Sequence, residues 1–134
     1  MLSAARMVVI VGCTLLAITS PIAQQKTVFT PQVYARIGSV YGTEASENVA
    51  KWRQLISELQ SEDLDEKLYE INRFFNRFDF VDDLVHWNEK DYWATPIEFI
   101  ATGAGDCEDY TIAKYFSLIE LGVPESQLRL MYVT

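Results

Sequence analysis

Cysteine and histidine are scarce in this chain: Cys13, Cys107 and a single His86 among 134 residues. Two cysteines so far apart build neither a disulfide framework nor a four-cysteine zinc site, and one histidine offers no second imidazole for a metal pair. Basic residues are also few, 11 against 19 acidic ones, for a formal net charge of -8. A phosphate-binding surface needs clustered Lys and Arg, so nucleic acid is excluded as a partner. Internal repeats, low-complexity tracts and interior linkers are missing too. Apolar residues are plentiful at 49%, enough to build a core rather than stay disordered, in a length that suits one domain.

The N-terminus reads as an export signal. Arg6 supplies the positive start, Met7 to Ile18 are almost wholly apolar, and small residues with Pro21 precede the polar Gln24 and Gln25. The apolar run is short for a spanning helix of about 20 residues. Residues 1–23 are therefore expected to be a signal peptide cut near Ala23, with an uncleaved tether as the alternative. The stretch Ile10-Val11-Gly12-Cys13 also resembles a lipoprotein box, but lipidation there would leave Leu15, Leu16 and Ile18 directly behind the modified cysteine. Cleavage removes Cys13 and leaves Cys107 as the only thiol. A lone thiol in an oxidising compartment is either a buried, inert residue or a functional one.

Helical signals dominate residues 24–134. Thr30-Pro31 is an N-cap followed by Pro at the first helical position, with Val33, Ile37 and Val40 at helical spacing before Gly42. From Thr43 the apolar residues Ala45, Val49, Trp52, Ile56 and Leu59 keep a helical period. Asp63 and Glu66 resemble a capping box ahead of the stripe Leu64, Leu68, Ile71, Phe75 and Phe78, whose aromatics read as core. Between Asp79 and Asp91 the pattern loosens into a solvated connection rich in Asp and Glu around His86 and Trp87. It lacks the order of an EF-hand loop, so no calcium site is assigned to it. His86 reads as an ordinary surface or satisfied residue.

Thr95-Pro96-Ile97-Glu98 opens a short helix that Gly103 ends, and Asp106 with Asp109 opens the next one, where Ile112, Ala113, Phe116 and Ile119 mark the expected buried stripe. Beyond Pro124, residues 128–133 are rich in strand formers. Cys107 thus falls on the first turn of a helix, where unpaired N–H groups and the positive end of the helix dipole favour a thiolate. Gly103-Ala104-Gly105 ahead of it would let a substrate backbone approach and leave N–H groups for a developing oxyanion. Asp106, Glu108 and Asp109 oppose this by crowding the sulfur with negative charge. Either a hard cation such as calcium occupies these carboxylates, or they cap the helix and face water.

The runs Asp91-Tyr92-Trp93-Ala94-Thr95-Pro96, Gly103-Ala104-Gly105-Asp106-Cys107-Glu108-Asp109-Tyr110 and Ala113-Lys114-Tyr115, with Leu121-Gly122, resemble the bacterial transglutaminase-like cysteine proteinases, in particular their LapG-like, adhesin-processing periplasmic members. The resemblance covers most of residues 24–134. It implies an α+β, papain-like fold, of which this chain holds mainly the helical N-terminal part and the first sheet strand at its C-terminus. It implies that Cys107 is the nucleophile and that Asp106 and Glu108 bind calcium. It further implies a large surface adhesin as substrate, hence biofilm release, and an inner-membrane cyclic di-GMP receptor as partner. The family histidine and aspartate would follow the last strand, and no histidine follows Cys107. His86 matches no catalytic position. The expectation is a protease fragment inactive by itself. The alternative is a non-catalytic exported helical module that binds calcium or a receptor.

Overall fold

A computed structural model describes residues 28–131. The leader, its cleavage point and the box at Cys13 lie outside the described residues. Six α-helices and a two-stranded sheet make up the structure among the described residues. The local signals explain most of the helix ends. In α1 (Pro31–Tyr41) the Thr30 hydroxyl accepts from the Val33 N–H at 3.4 Å, and Gly42 separates it from α2 (Thr43–Glu58). Asp63 accepts from the Glu66 N–H at 2.9 Å and opens α3 (Leu64–Phe75).

The connection that follows is more ordered than the sequence suggests. It contains β1 (Asp79–Phe80) and the single-turn α4 (Asp83–His86) before reaching α5 (Pro96–Thr102). Thr95 and Glu98 form the full capping box of α5, and Gly103 closes it in the left-handed region at φ 69°, which favours glycine. Next come β2 (Ala104–Gly105), α6 (Cys107–Glu120) and a 3-10 turn at Glu125–Gln127. Strands β1 and β2 are parallel, with Asp79 opposite Ala104 and Phe80 opposite Gly105. This pairing brings the acidic 79–91 segment beside the start of α6.

The core is one cluster. Helix α2 packs on α1 and α5, and α6 packs on α3 and α5. The α2 stripe is buried as its period demands, from Ala45 to Leu59. Phe75 stacks on Phe99 at 5.8 Å, with Phe74 and Phe78 around them, so these aromatics form core and not a ligand cage.

Helix α6 turns differently from its apolar pattern. Asp109, Ala113, Ser117 and Leu118 face inward, whereas Phe116 is half exposed. The Trp52 indole lies against this face and donates to Ser117 Oγ at 2.9 Å, so small residues are needed there and the bulky Phe116 is turned away. Val40, Leu64 and Leu68 are likewise more exposed than their stripes imply. Residues 128–131 form no ladder among the described residues; Leu128 has extended backbone, but a strand requires a partner to become one.

Candidate active site

Cys107 is the first residue of α6 and is solvent-exposed. It sits in a cleft of about 250 Å³ whose other walls are Trp93, Glu108, Thr111, Ile112, Leu130 and Met131. The lining is predominantly apolar, suited to the side chains of a peptide laid across the sulfur. A larger groove of about 680 Å³, between Tyr41, Lys51, Arg77 and Gly103, does not include the thiol.

The two influences on the thiol are resolved in favour of the neutral form. Cys107 Sγ lies 3.0 Å from Glu108 Oε2 and donates to it. That hydrogen bond to a carboxylate, then burial and the nearby charges of Glu108 and Asp106, hold the thiol above its usual pKa. The same bond draws Glu108 below the ordinary carboxylate value. Burial pushes Asp106 up to about 7, and Glu108 adds to the rise. The N-terminal dipole of α6 alone therefore does not produce a thiolate here.

Asp109 serves the scaffold. It is fully buried; Oδ1 accepts from the Ala94 N–H at 2.8 Å and Oδ2 from the Asp106 N–H at 3.3 Å. It thereby ties the Trp93–Ala94 stretch to the opening of α6. Gly105 makes room for it: a Cβ at that position would lie 2.4 Å from Asp109 Oδ2 and 2.7 Å from the Phe99 ring. This corrects the reading of Gly103-Ala104-Gly105 as a substrate-facing loop. Ala104 and Gly105 are buried, and the space beside Gly105 is filled by the chain's own Asp109 and Phe99. The first N–H groups of α6, beside Cys107, have no intrahelical acceptor.

The acidic cluster is wider than Asp106 and Glu108. Carboxylate oxygens of Asp83, Asp106 and Asp109 lie within 4.8 Å of one another, as do those of Asp83, Asp91 and Glu108. Asp106, Glu108 and the Cys107 sulfur form a third such group. Local spacing offers no reason to single out Asp83. The only available sign was an Asp82-Asp83 pair at a helix start, a common capping arrangement, and the pairing of β1 with β2 that brings it to α6 is invisible in local spacing. The structure thus overturns the solvated reading of this segment at one residue: Asp83 is buried, and its Oδ2 accepts from the Tyr92 N–H at 2.6 Å.

A hard cation fits these residues on two grounds. The donors are carboxylate oxygens, and two of those oxygens, Asp83 Oδ1 and Asp106 Oδ1, are buried with no hydrogen-bond partner. His86 is less ordinary than expected. Its ring packs edge-on against Trp87 at 4.5 Å, and its Nε2 is buried without a partner. Among the described residues no hydrogen bond joins it to Cys107, whose sulfur is engaged by Glu108.

A family profile described as bacterial transglutaminase-like cysteine proteinase BTLCP matches residues 25–134. Among solved structures, Legionella pneumophila LapG is similar at 35% identity and a TM-score of 0.57, over 70% of this chain and 54% of that one. Its calcium-bound form matches with the same figures, and its EGTA-treated form matches at the same identity over 52% of that chain. The chain thus spans about half the length of these solved structures. No curated protein matches.

Proposed function

Because the chain belongs to the bacterial transglutaminase-like cysteine proteinases, we propose that it carries the nucleophile of a calcium-dependent cysteine endopeptidase, exported to the periplasm, that cleaves a large surface adhesin and so releases biofilm. The observation that supports this most is an exposed Cys107 at the first turn of α6, inside an apolar cleft and bordered by carboxylates with unpartnered buried oxygens. Asp106 and Glu108 are the residues that would hold calcium, and the ion would supply positive charge beside the sulfur. Partnership with a cyclic di-GMP receptor belongs to the same reading and rests on the resemblance.

The chemistry asked of these residues is acyl transfer. Cys107 Sγ attacks a peptide carbonyl, the C–N bond breaks, and the departing amine takes up a proton, leaving a thioester on the sulfur. Water then cleaves the thioester to a carboxylic acid and restores the thiol. The opening N–H groups of α6 face the carbonyl oxygen as it gains charge, and the apolar cleft holds the side chains of the peptide beside the attacking sulfur. Proton transfer to the amine requires an acid, which the resemblance assigns to a histidine following the last strand.

The test is cleavage of a surface adhesin by the protein as its host produces it, with Cys107→Ala and EGTA as controls. Hydrolysis lost in both controls is the expected result. Hydrolysis that survives Cys107→Ala overturns the assignment of the nucleophile, and survival in EGTA removes the calcium requirement. Transfer to an added amine in place of water would identify a transglutaminase. A second reading, a non-catalytic calcium- or receptor-binding module, is favoured by the raised thiol pKa and the absence of an imidazole bonded to Cys107 among the described residues. Cys107-dependent hydrolysis would remove it.

A further inference from the structure

We propose that Asp83 is a cation-binding residue that fastens the 79–92 segment to the start of α6, so that calcium at the site acts as a clamp between two parts of the chain. This rests on the reading of Asp106 and Glu108 as calcium ligands and extends it to a residue that local sequence spacing does not indicate.

Three observations carry it. Asp83 is only 3% exposed, yet its Oδ1 has no hydrogen-bond partner. A buried carboxylate oxygen left unpaired is costly, and no Lys or Arg compensates: among the described residues the two ion pairs are Arg53–Glu120 and Arg73–Glu70, neither involving the cluster. Asp83 is also the carboxylate common to the two clusters that join the 79–92 segment to α6, one with Asp106 and Asp109 and the other with Asp91 and Glu108.

The neighbours differ in what they have to offer. Asp109 has both oxygens engaged by backbone N–H groups, and Asp91 Oδ1 accepts from the Trp93 indole at 3.0 Å. Asp83 Oδ2 is held by the Tyr92 N–H, which fixes the carboxylate and leaves Oδ1 as the open donor. A hard cation that takes six to eight oxygens suits such a fixed, dehydrated group. The ion would then bind oxygens on both sides of the boundary between α4 and α6, and the Trp93 wall of the cleft, which follows directly on Tyr92, would be set by it.

The experiment is calorimetric titration with calcium chloride and thermal melting with and without calcium, on wild type, Asp83→Asn and the Asp106→Asn/Glu108→Gln pair. Asn keeps the size of Asp83 and an acceptor for Tyr92 but removes the charge. The expected result is that calcium raises the melting temperature of wild type and that Asp83→Asn weakens binding by about tenfold or more, with the variant folded in EGTA. Equal affinity of wild type and Asp83→Asn, with binding lost in the α6 pair, overturns this inference and leaves the Asp106–Glu108 reading intact. No calcium binding by wild type overturns both. Hydrogen exchange on wild type gives an answer that does not depend on any variant folding: calcium should slow the amides of residues 79–92 together with those opening α6, and protection confined to α6 overturns the clamp.

Discussion

Helix α6 buries polar side chains at both ends, and the two ends treat them differently. At its C-terminal half Ser117 is fully buried and fully used: Oγ accepts from the Trp52 indole at 2.9 Å and donates to the Ala113 carbonyl at 2.7 Å. At its first turn Asp106 Oδ1, with Asp83 Oδ1 across from it, is buried and unpartnered among acidic neighbours. One end obeys the rule that buried polar groups are satisfied, and the other departs from it beside the Cys107 thiol. Such departures cost stability and persist where a ligand or a reaction uses the unsatisfied groups. Asp109 marks the border, since it belongs to the acidic cluster yet has both oxygens engaged.

The sharpest test of that border is Asp109→Ala. It strands the Ala94 and Asp106 N–H groups, at about 1–3 kcal/mol each, so roughly 3 kcal/mol of stability should be lost in denaturant unfolding. A loss under about 1 kcal/mol would place Asp109 with the loosely held carboxylates and erase the contrast.

Ser117→Ala should cost less, about 1–3 kcal/mol, because it leaves one buried indole N–H without an acceptor. If this variant melts like wild type, the satisfied end of α6 contributes nothing through its polar pair.

A pH dependence also separates the two ends, and it has the opposite sign from that of an ordinary ion-paired carboxylate. In the folded chain Asp106 is pushed up to about 7, above the value of 3.8 for a free side chain. The folded form therefore holds a proton that the unfolded form has released. Stability is fully present below about 4 and declines as pH rises towards about 7. In calcium-free buffer Asp106→Asn should flatten this slope in melting curves taken between pH 4 and pH 8. An unchanged slope would mean that another group holds the proton.

Much of the scaffold was legible because it depends on local interactions. The Thr30 cap, the Asp63 cap and the Thr95–Glu98 capping box each concern residues three apart, and the structure has all of them. The α2 stripe was equally plain, since every residue of its period meets the core. The α6 stripe misled because apolarity alone selects Phe116, while the approach of Trp52 demands the small Ser117. Gly105 misled in a similar way: its lack of a side chain serves Asp109 and Phe99, both contributed by this chain, and not an incoming substrate.

By itself, the sequence determined where most of the helices begin, that Cys107 stands at a helix N-terminus, and that Asp106 and Glu108 flank it, because all of these are relations between near neighbours. Only the tertiary structure decided that the thiol leans on Glu108, that Asp109 is a structural tie, and that Asp83 joins the site. These depend on β1 pairing with β2 and on how far each carboxylate is removed from water, neither of which a linear pattern encodes.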